Sequence, residues 1–369
     1  MLSMEPAIKR GLTFWDRALM PRDEFYERIR LVRAEMRRVG LDALIVSGNM
    51  YEDADLIYLV GGNVDGTLVL TADDDPVIFT VSGSRESFFL TELTWINDVS
   101  YQGALIGAAV RSALHARKVT SGRIGTVGLQ VLASRPYQDL VQALAGYDLQ
   151  DFTAALHKLR GQIRPREVAA SRIALGMAEK AALAAERAFA TGASNAAAVV
   201  EAERVARLEG AWDFRALANL DSDDLRPYER SSDNRRGPLL LWVATRYQGY
   251  WADRVVATAG GPNSEAATAI AAMTAAAHVG VSAQSVADAG LAVLSDESRR
   301  SALAYGLGHG IGIALNGSPK ISPQSDERLT EGTLLSFRVF ARGSEQPSFA
   351  TALVQITPNG AVPLEPLAR

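Results

Sequence analysis

Residue spacing changes character once along this chain, and that change constrains the fold more than any other feature. Up to about residue 155, short apolar runs bounded by turn residues alternate with helical patterns. Residues 22–40, RDEFYERIRLVRAEMRRVG, place Phe25, Ile29, Leu31, Val32 and Met36 at helical spacing and close on Gly40. LDALIVSG (41–48) predicts a buried strand. GTLVLT (66–71) and PVIFTV (76–81) predict two more, joined by the acidic turn Ala72-Asp73-Asp74-Asp75, and IGTVGL (124–129) a fourth. Helices are expected at about 103–117 and 134–146. Such alternation predicts a small α/β domain over residues 1–155.

The second pattern begins with 165–208, rich in Ala, Glu, Arg and Leu, where Pro165-Arg166-Glu167 suits a first helical turn. Two helices are expected, split at Gly192-Ala193-Ser194. Strands are expected at 238–244 and 250–257, a helix pair within 263–297, and strands near 334–341 and 350–357. Helices followed mainly by strands predict an α+β domain with an antiparallel sheet over 156–369.

Composition removes several classes of function. The 369 residues are 48% hydrophobic, enough for a core in more than one domain. A net charge of −4, with no basic cluster, predicts no nucleic-acid partner. With no cysteine there can be no disulfide, zinc–thiolate site or cysteine nucleophile. Residues 1–20 mix Glu5, Lys9, Arg10, Asp16 and Arg17 with apolar residues, unlike a signal peptide. No apolar run approaches the roughly 20 residues that span a bilayer. A soluble, cytoplasmic protein without a membrane partner is expected.

Three segments carry a family resemblance. HKLRGQIRPREVAASRIALGMAEKA (157–181) resembles the opening of the catalytic domain in the creatinase, prolidase and methionine aminopeptidase superfamily. TRYQGYWADRVVAT (245–258) is similar to its hairpin A-R-Y-D-G-Y-x-x-D, and YGLGHGIGIALNGSP (305–319) to its G-H-G-I-G-L-x-x-H-E-x-P. DADLIYLVGG (53–62) resembles the family's Y-L-T-G-F region. The resemblance implies a "pita-bread" domain, a curved antiparallel sheet with pseudo-twofold symmetry flanked by helices, behind a smaller N-terminal domain. It also implies a homodimer in which one small domain reaches towards the partner's pocket.

Family members that hydrolyse with two metals use two aspartates, one histidine and two glutamates, because two divalent cations need several hard anionic ligands. Carried onto this sequence, one aspartate falls on Asp253 and the histidine on His309. The remaining positions fall on Trp242, Arg338 and Thr351. The family's downstream histidine and glutamate correspond to Asn316 and Gly317, and its P-H-Y turn to Arg226-Pro227-Tyr228. No metal and no other cofactor is therefore expected.

Two readings of these residues stand side by side. In one, Asp253 hydrogen-bonds His309, fixes its tautomer and raises its basicity, so that His309 is a general base. In the other, both are relics tied to Arg338 in a buried network. Arg338 either grips a substrate carboxylate or oxyanion, or only neutralises Asp253. Trp242 and Trp251 line a pocket or plug the space two metals would fill, and period-2 counting puts Trp251 on the face of Asp253. Tyr58, Asn63 and Asp65 are candidates for reaching a dimer partner's pocket. His115, His157 and His278, the other histidines, are read as surface or packing residues.

The function expected is metal-independent chemistry on a small, carboxylate-bearing amide, amidine or amino-acid derivative. C–N hydrolysis is favoured by resemblance, and a lyase or cyclisation step stays open. The alternative is a non-catalytic module that binds a peptide or protein.

Overall fold

The computed structural model describes residues 14–49, 54–81, 83–220, 222–227, 236–258, 264–342 and 347–367. Contacts divide the chain into two compact units, the first ending at Gln162 and the second running from Ile163. The first contains α1 (Arg22–Val39), β1 (Ala43–Gly48), α2 (Ala54–Val60), β2 (Gly66–Thr71), β3 (Val77–Thr80), α3 (Ser84–Leu93) and β4 (Asp98–Tyr101). It continues with α4 (Gly107–Ala116), β5 (Gly122–Val127), α5 (Ser134–Ala143), β6 (Tyr147–Asp151) and α6 (Thr153–Arg160). Among the described residues these strands form one mixed sheet in the order β4-β3-β2-β1-β5-β6. Strands β1 and β2 are buried at every position, which explains why both read as unbroken apolar runs. The division falls past the 155–156 boundary expected from the sequence. Helix α6 is clasped to α2, with His157 Nε2 3.2 Å from Asp55 Oδ2 and Arg160 paired to the same carboxylate.

The second unit opens with α7 (Pro165–Ala190) and α8 (Asn195–Leu208), then β7 (Asp213–Ala218), β8 (Arg226–Pro227), β9 (Leu240–Tyr247) and β10 (Tyr250–Ala257). Next come α9 (Glu265–Ala276), α10 (Ala283–Ala292), α11 (Asp296–Tyr305), β11 (Gly308–Gly310), β12 (Gly317–Lys320), β13 (Leu334–Arg342), β14 (Pro347–Thr357) and β15 (Gly360–Pro363). Described strands form two sheets, β10-β9-β7-β8 and β12-β11-β13-β14-β15, antiparallel at every pairing. Helix α7 starts as its sequence dictates: Pro165 occupies the first turn and the Glu167 carboxylate accepts from Arg164 N at 2.7 Å. Its stripe of Ala170, Ala174, Ala178, Ala181 and Ala185 is buried, and small side chains let it lie close on β9 and β10. Helices α9 and α10 cover the other sheet through Ala269, Met273, Val286 and Ala287, packed with Phe337, Val339 and Val354. Ser264, Ser282 and Ser295 cap α9, α10 and α11.

Several elements differ from expectation. Strand β7 was not expected, because Asp213 and Arg215 interrupt DFRALA before it registers as an apolar run. The region expected as a helix pair runs on into α11, and β11 is a three-residue strand made of two glycines and a histidine. Among the described residues no helix is long and apolar enough to cross a membrane.

One polar bond ties α7 to the sheet that carries half of the site. Thr245 Oγ1 donates to Ala174 O at 2.7 Å, fully buried. Thr245→Val keeps the shape and leaves that carbonyl without its side-chain donor. It should lower stability by about 1–2 kcal/mol, read as a shift in urea midpoint at unchanged slope.

Candidate functional site

Strand register builds the site. Trp242 on β9 pairs with Val255 on β10, so Asp253 lies diagonally across from Trp242 on the same face. Arg338 pairs with Thr351 across β13 and β14, and His309 pairs with Ser336 across β11 and β13. Ser336 and Arg338, two apart on one strand, share a face. Strand β10 lies against β14, and Ser336 Oγ donates to Asp253 Oδ2 at 2.7 Å, which joins the two faces. Trp242 Nε1 donates to that same oxygen at 2.8 Å. The Arg338 guanidinium carbon lies 5.3 Å from the centre of the Trp242 ring.

The glycines around His309 are there because backbone passes close on both sides. A Cβ on Gly308, at φ 146°, would stand 2.4 Å from Ser336 O. On Gly310 a Cβ would come within 1.9 Å of Ser318 O. Those approaches wedge β11 between β12 and β13 and leave the imidazole 2% exposed.

Of the residues singled out from sequence, the structure brings Trp242, Asp253, His309, Arg338 and Thr351 together. Trp251 shares the face of Asp253, as counted, and is held by its own N–H donating to Gly312 O at 2.7 Å. The buried Arg246 guanidinium lies 5.2 Å over its ring. Asn316 is not drawn in: it is exposed on the β11–β12 turn, where its carbonyl accepts from Lys320 Nζ at 2.7 Å. Asn63 belongs to the first unit, in the loop before β2. Tyr228 lies outside the described residues. Ser336 was missed, although the period-2 count from Arg338 points to it.

Two expectations need correction. Asp253 does not hydrogen-bond His309. Its Oδ2 is taken by Trp242 and Ser336, while His309 Nδ1 lies 3.0 Å from Gly310 O. Nor is His309 made more basic. Burial pushes it down to about 4, and the Arg338 charge adds to that push; Asp253 and the Gly310 carbonyl pull the other way and lose. Burial likewise draws Arg338 below its usual range, opposed by Asp253. The relic reading tied both Asp253 and His309 to Arg338; in the structure Asp253 bonds Trp242 and Ser336, Arg338 lies over Trp242, and His309 bonds none of them.

Three polar atoms of these side chains are sealed from solvent and make no hydrogen bond: Asp253 Oδ1, His309 Nε2 and Arg338 Nε. The donor set does not fit two divalent cations. One carboxylate oxygen is already occupied by an indole N–H and a hydroxyl, and a guanidinium stands where a second carboxylate would be needed. Among the described residues no group of three or more His, Cys, Asp or Glu is placed to hold a metal.

Comparison with known proteins comes from both halves of the chain. Residues 28–162 match the family model of the creatinase/prolidase N-terminal domain, and residues 169–363 that of metallopeptidase family M24. The fold is similar to the prolidase from Pyrococcus horikoshii OT3, with a TM-score of 0.74 and 17% identity over 93% of this chain and 99% of that one. It is similar to the dipeptidase PepE from Mycobacterium ulcerans, with a TM-score of 0.70 and 20% identity over 96% and 98%. It also resembles the N-terminal domain of FACT complex subunit SPT16 from Cicer arietinum, with a TM-score of 0.67 and 15% identity over 94% and 97%. At these identities the likeness speaks for the fold alone: an α+β pita-bread domain behind a smaller domain. No protein of curated function matches the sequence.

The depressed His309 gives a signed pH dependence. A group with a folded value near 4 against an ordinary 6.5 contributes its full stability above pH 6.5. That contribution is lost as pH falls towards 4, because the unfolded chain takes up a proton the folded chain refuses; the loss is on the order of 3 kcal/mol. Urea melts of wild type and His309→Gln between pH 7 and 4 should therefore converge as the pH falls. Parallel curves would mean that His309 is not buried neutral.

Proposed function

This chain belongs to metallopeptidase family M24, and we propose that it works without a metal, as an enzyme on a small amide, amidine or amino-acid derivative. The observation that carries this reading is the cluster of three sealed, unpartnered atoms, Asp253 Oδ1, His309 Nε2 and Arg338 Nε. Leaving one buried polar atom unpaired costs roughly 1–3 kcal/mol. Three together on facing strands are expensive as mere packing, and they suit a site that a substrate completes.

The chemistry follows from the residues. His309 is neutral at pH 7, and its Nδ1 proton is committed to Gly310 O, so Nε2 is the basic nitrogen. It takes a proton from water as the water oxygen adds to the carbonyl or amidine carbon. Arg338 donates to the charge that develops on the substrate oxygen or nitrogen. The imidazolium returns the proton to the leaving nitrogen as the C–N bond breaks, with Asp253 favouring the cation meanwhile. Arg338 could also hold a substrate carboxylate, the group expected from the sequence. Cytoplasmic placement, expected from the sequence, and a homodimer, implied by the resemblance, belong to the same proposal.

A second reading, a non-catalytic module for a peptide or protein, is favoured by two observations. The site atoms are closed from solvent, and the fold is similar to a domain from a subunit of the FACT complex.

A panel of small amides and amidines, assayed with protein purified without added metal, separates the readings. The enzyme reading expects turnover that survives a chelator and falls on the order of 10²–10⁴-fold in His309→Gln. It also expects no stoichiometric uptake of Zn²⁺, Mn²⁺ or Co²⁺ and no thermal stabilisation by them. Uptake of two ions per chain, or turnover abolished by the chelator, would sink it. No turnover on any member, with a folded protein, would hand the site to the binding reading.

A further inference from the structure

Hydrogen-bonding capacity at the site is more selective than its charge. A carbonyl cannot donate, so the 3.0 Å contact between His309 Nδ1 and Gly310 O places the ring proton on Nδ1 and leaves Nε2 an acceptor. Asp253 Oδ2 is filled by Trp242 Nε1 at 2.8 Å and Ser336 Oγ at 2.7 Å, which leaves Oδ1 as a second acceptor. Arg338 Nε–H is a donor without an acceptor. His309 pairs with Ser336, Ser336 bonds Asp253, and Arg338, two residues along the same strand as Ser336, lies over Trp242, so the three side chains share one face. Two acceptors and one donor call for a ligand group with two donors and one acceptor.

We propose that the site binds a primary carboxamide or carbamoyl group, –CO–NH₂, a refinement that rests on the small-molecule reading above and takes His309 Nε2 as an acceptor for the bound group in place of a base for water. One amide hydrogen goes to Asp253 Oδ1, the other to His309 Nε2, and the oxygen accepts from the Arg338 guanidinium. A carboxylate fits less well, because it brings only acceptors and a charge of the same sign as Asp253. An amidinium satisfies both acceptors but offers nothing to Arg338 and is repelled by it. An N,N-dialkyl amide keeps the acceptor and loses both donors.

Arg338 is the member of the three that is not fully buried, and its guanidinium rests on the Trp242 ring.

The test compares on the wild-type protein three probes of equal size, propanamide, propanoate and propanamidinium, with the two-carbon-larger N,N-dimethylpropanamide. Ligand-observed NMR titration should rank propanamide first by about tenfold or more, the effect of one or two hydrogen bonds left unmade. Asp253→Asn and Arg338→Met should each weaken propanamide, provided their melting curves show a folded protein. The wild-type ranking decides even if neither variant folds. Propanoate or propanamidinium in first place overturns the carboxamide assignment and leaves a small-molecule site standing. No binding by any probe also overturns it, and the chelator-resistant turnover assay then shows separately whether the enzyme reading falls too.

Discussion

The site depends on one buried carboxylate. Asp253 is 1% exposed on β10, yet a single oxygen of it receives an indole N–H from β9 and a hydroxyl from β13. The first bond lies within one sheet and the second crosses to the other, so the charge fixes how the two faces meet. A buried carboxylate demands such partners, and removing one donor from it is worse than never having had the pair. Trp242, oriented by its bond to Asp253, in turn gives Arg338 a surface to lie on. The arrangement of the cluster therefore follows from satisfying Asp253.

A metallopeptidase family fold is here combined with a site of different electrostatics. Two metal ions would bring concentrated positive charge and an activated water. In this chain positive charge comes from Arg338 and, more weakly, from Lys320, whose influence also reaches His309. Guanidinium charge is diffuse and directional, good at orienting an oxygen and poor at activating water. In the proposed hydrolysis, base chemistry falls to a neutral imidazole held below its ordinary range. That is a weak base, but one always in its basic form near neutral pH.

Much of this was legible in the sequence, for a physical reason. Alternation in strands is strict, so one register places whole rows of side chains. Counting in twos put Trp251 with Asp253, and it would have put Ser336 with Arg338. Direction of hydrogen bonding was not legible. Whether Asp253 meets the imidazole or an indole and a hydroxyl depends on how two sheets approach, and no spacing within one strand encodes that. The sign of the His309 shift was misjudged likewise, since burial outweighs a single favourable charge. Strand β11 was hidden because its neighbours, not its own propensity, hold glycine extended there. Strand β7 was hidden by its polar residues, and the end of the first unit by an ion pair between α6 and α2.

The stacking of Arg338 on Trp242 also has a meaning for descent. Changing Trp242 alone to aspartate would set a second carboxylate beside Asp253 and take away the platform under Arg338. Changing Arg338 alone to glutamate would gather negative charge with no cation to receive it. Each single step is worse than the arrangement it leaves, and only several together could make a cage for ions. If metal ligands once stood at these two positions, as the resemblance implies, their replacement works as a ratchet. A lineage that has passed it can refine what the new site does more easily than it can go back.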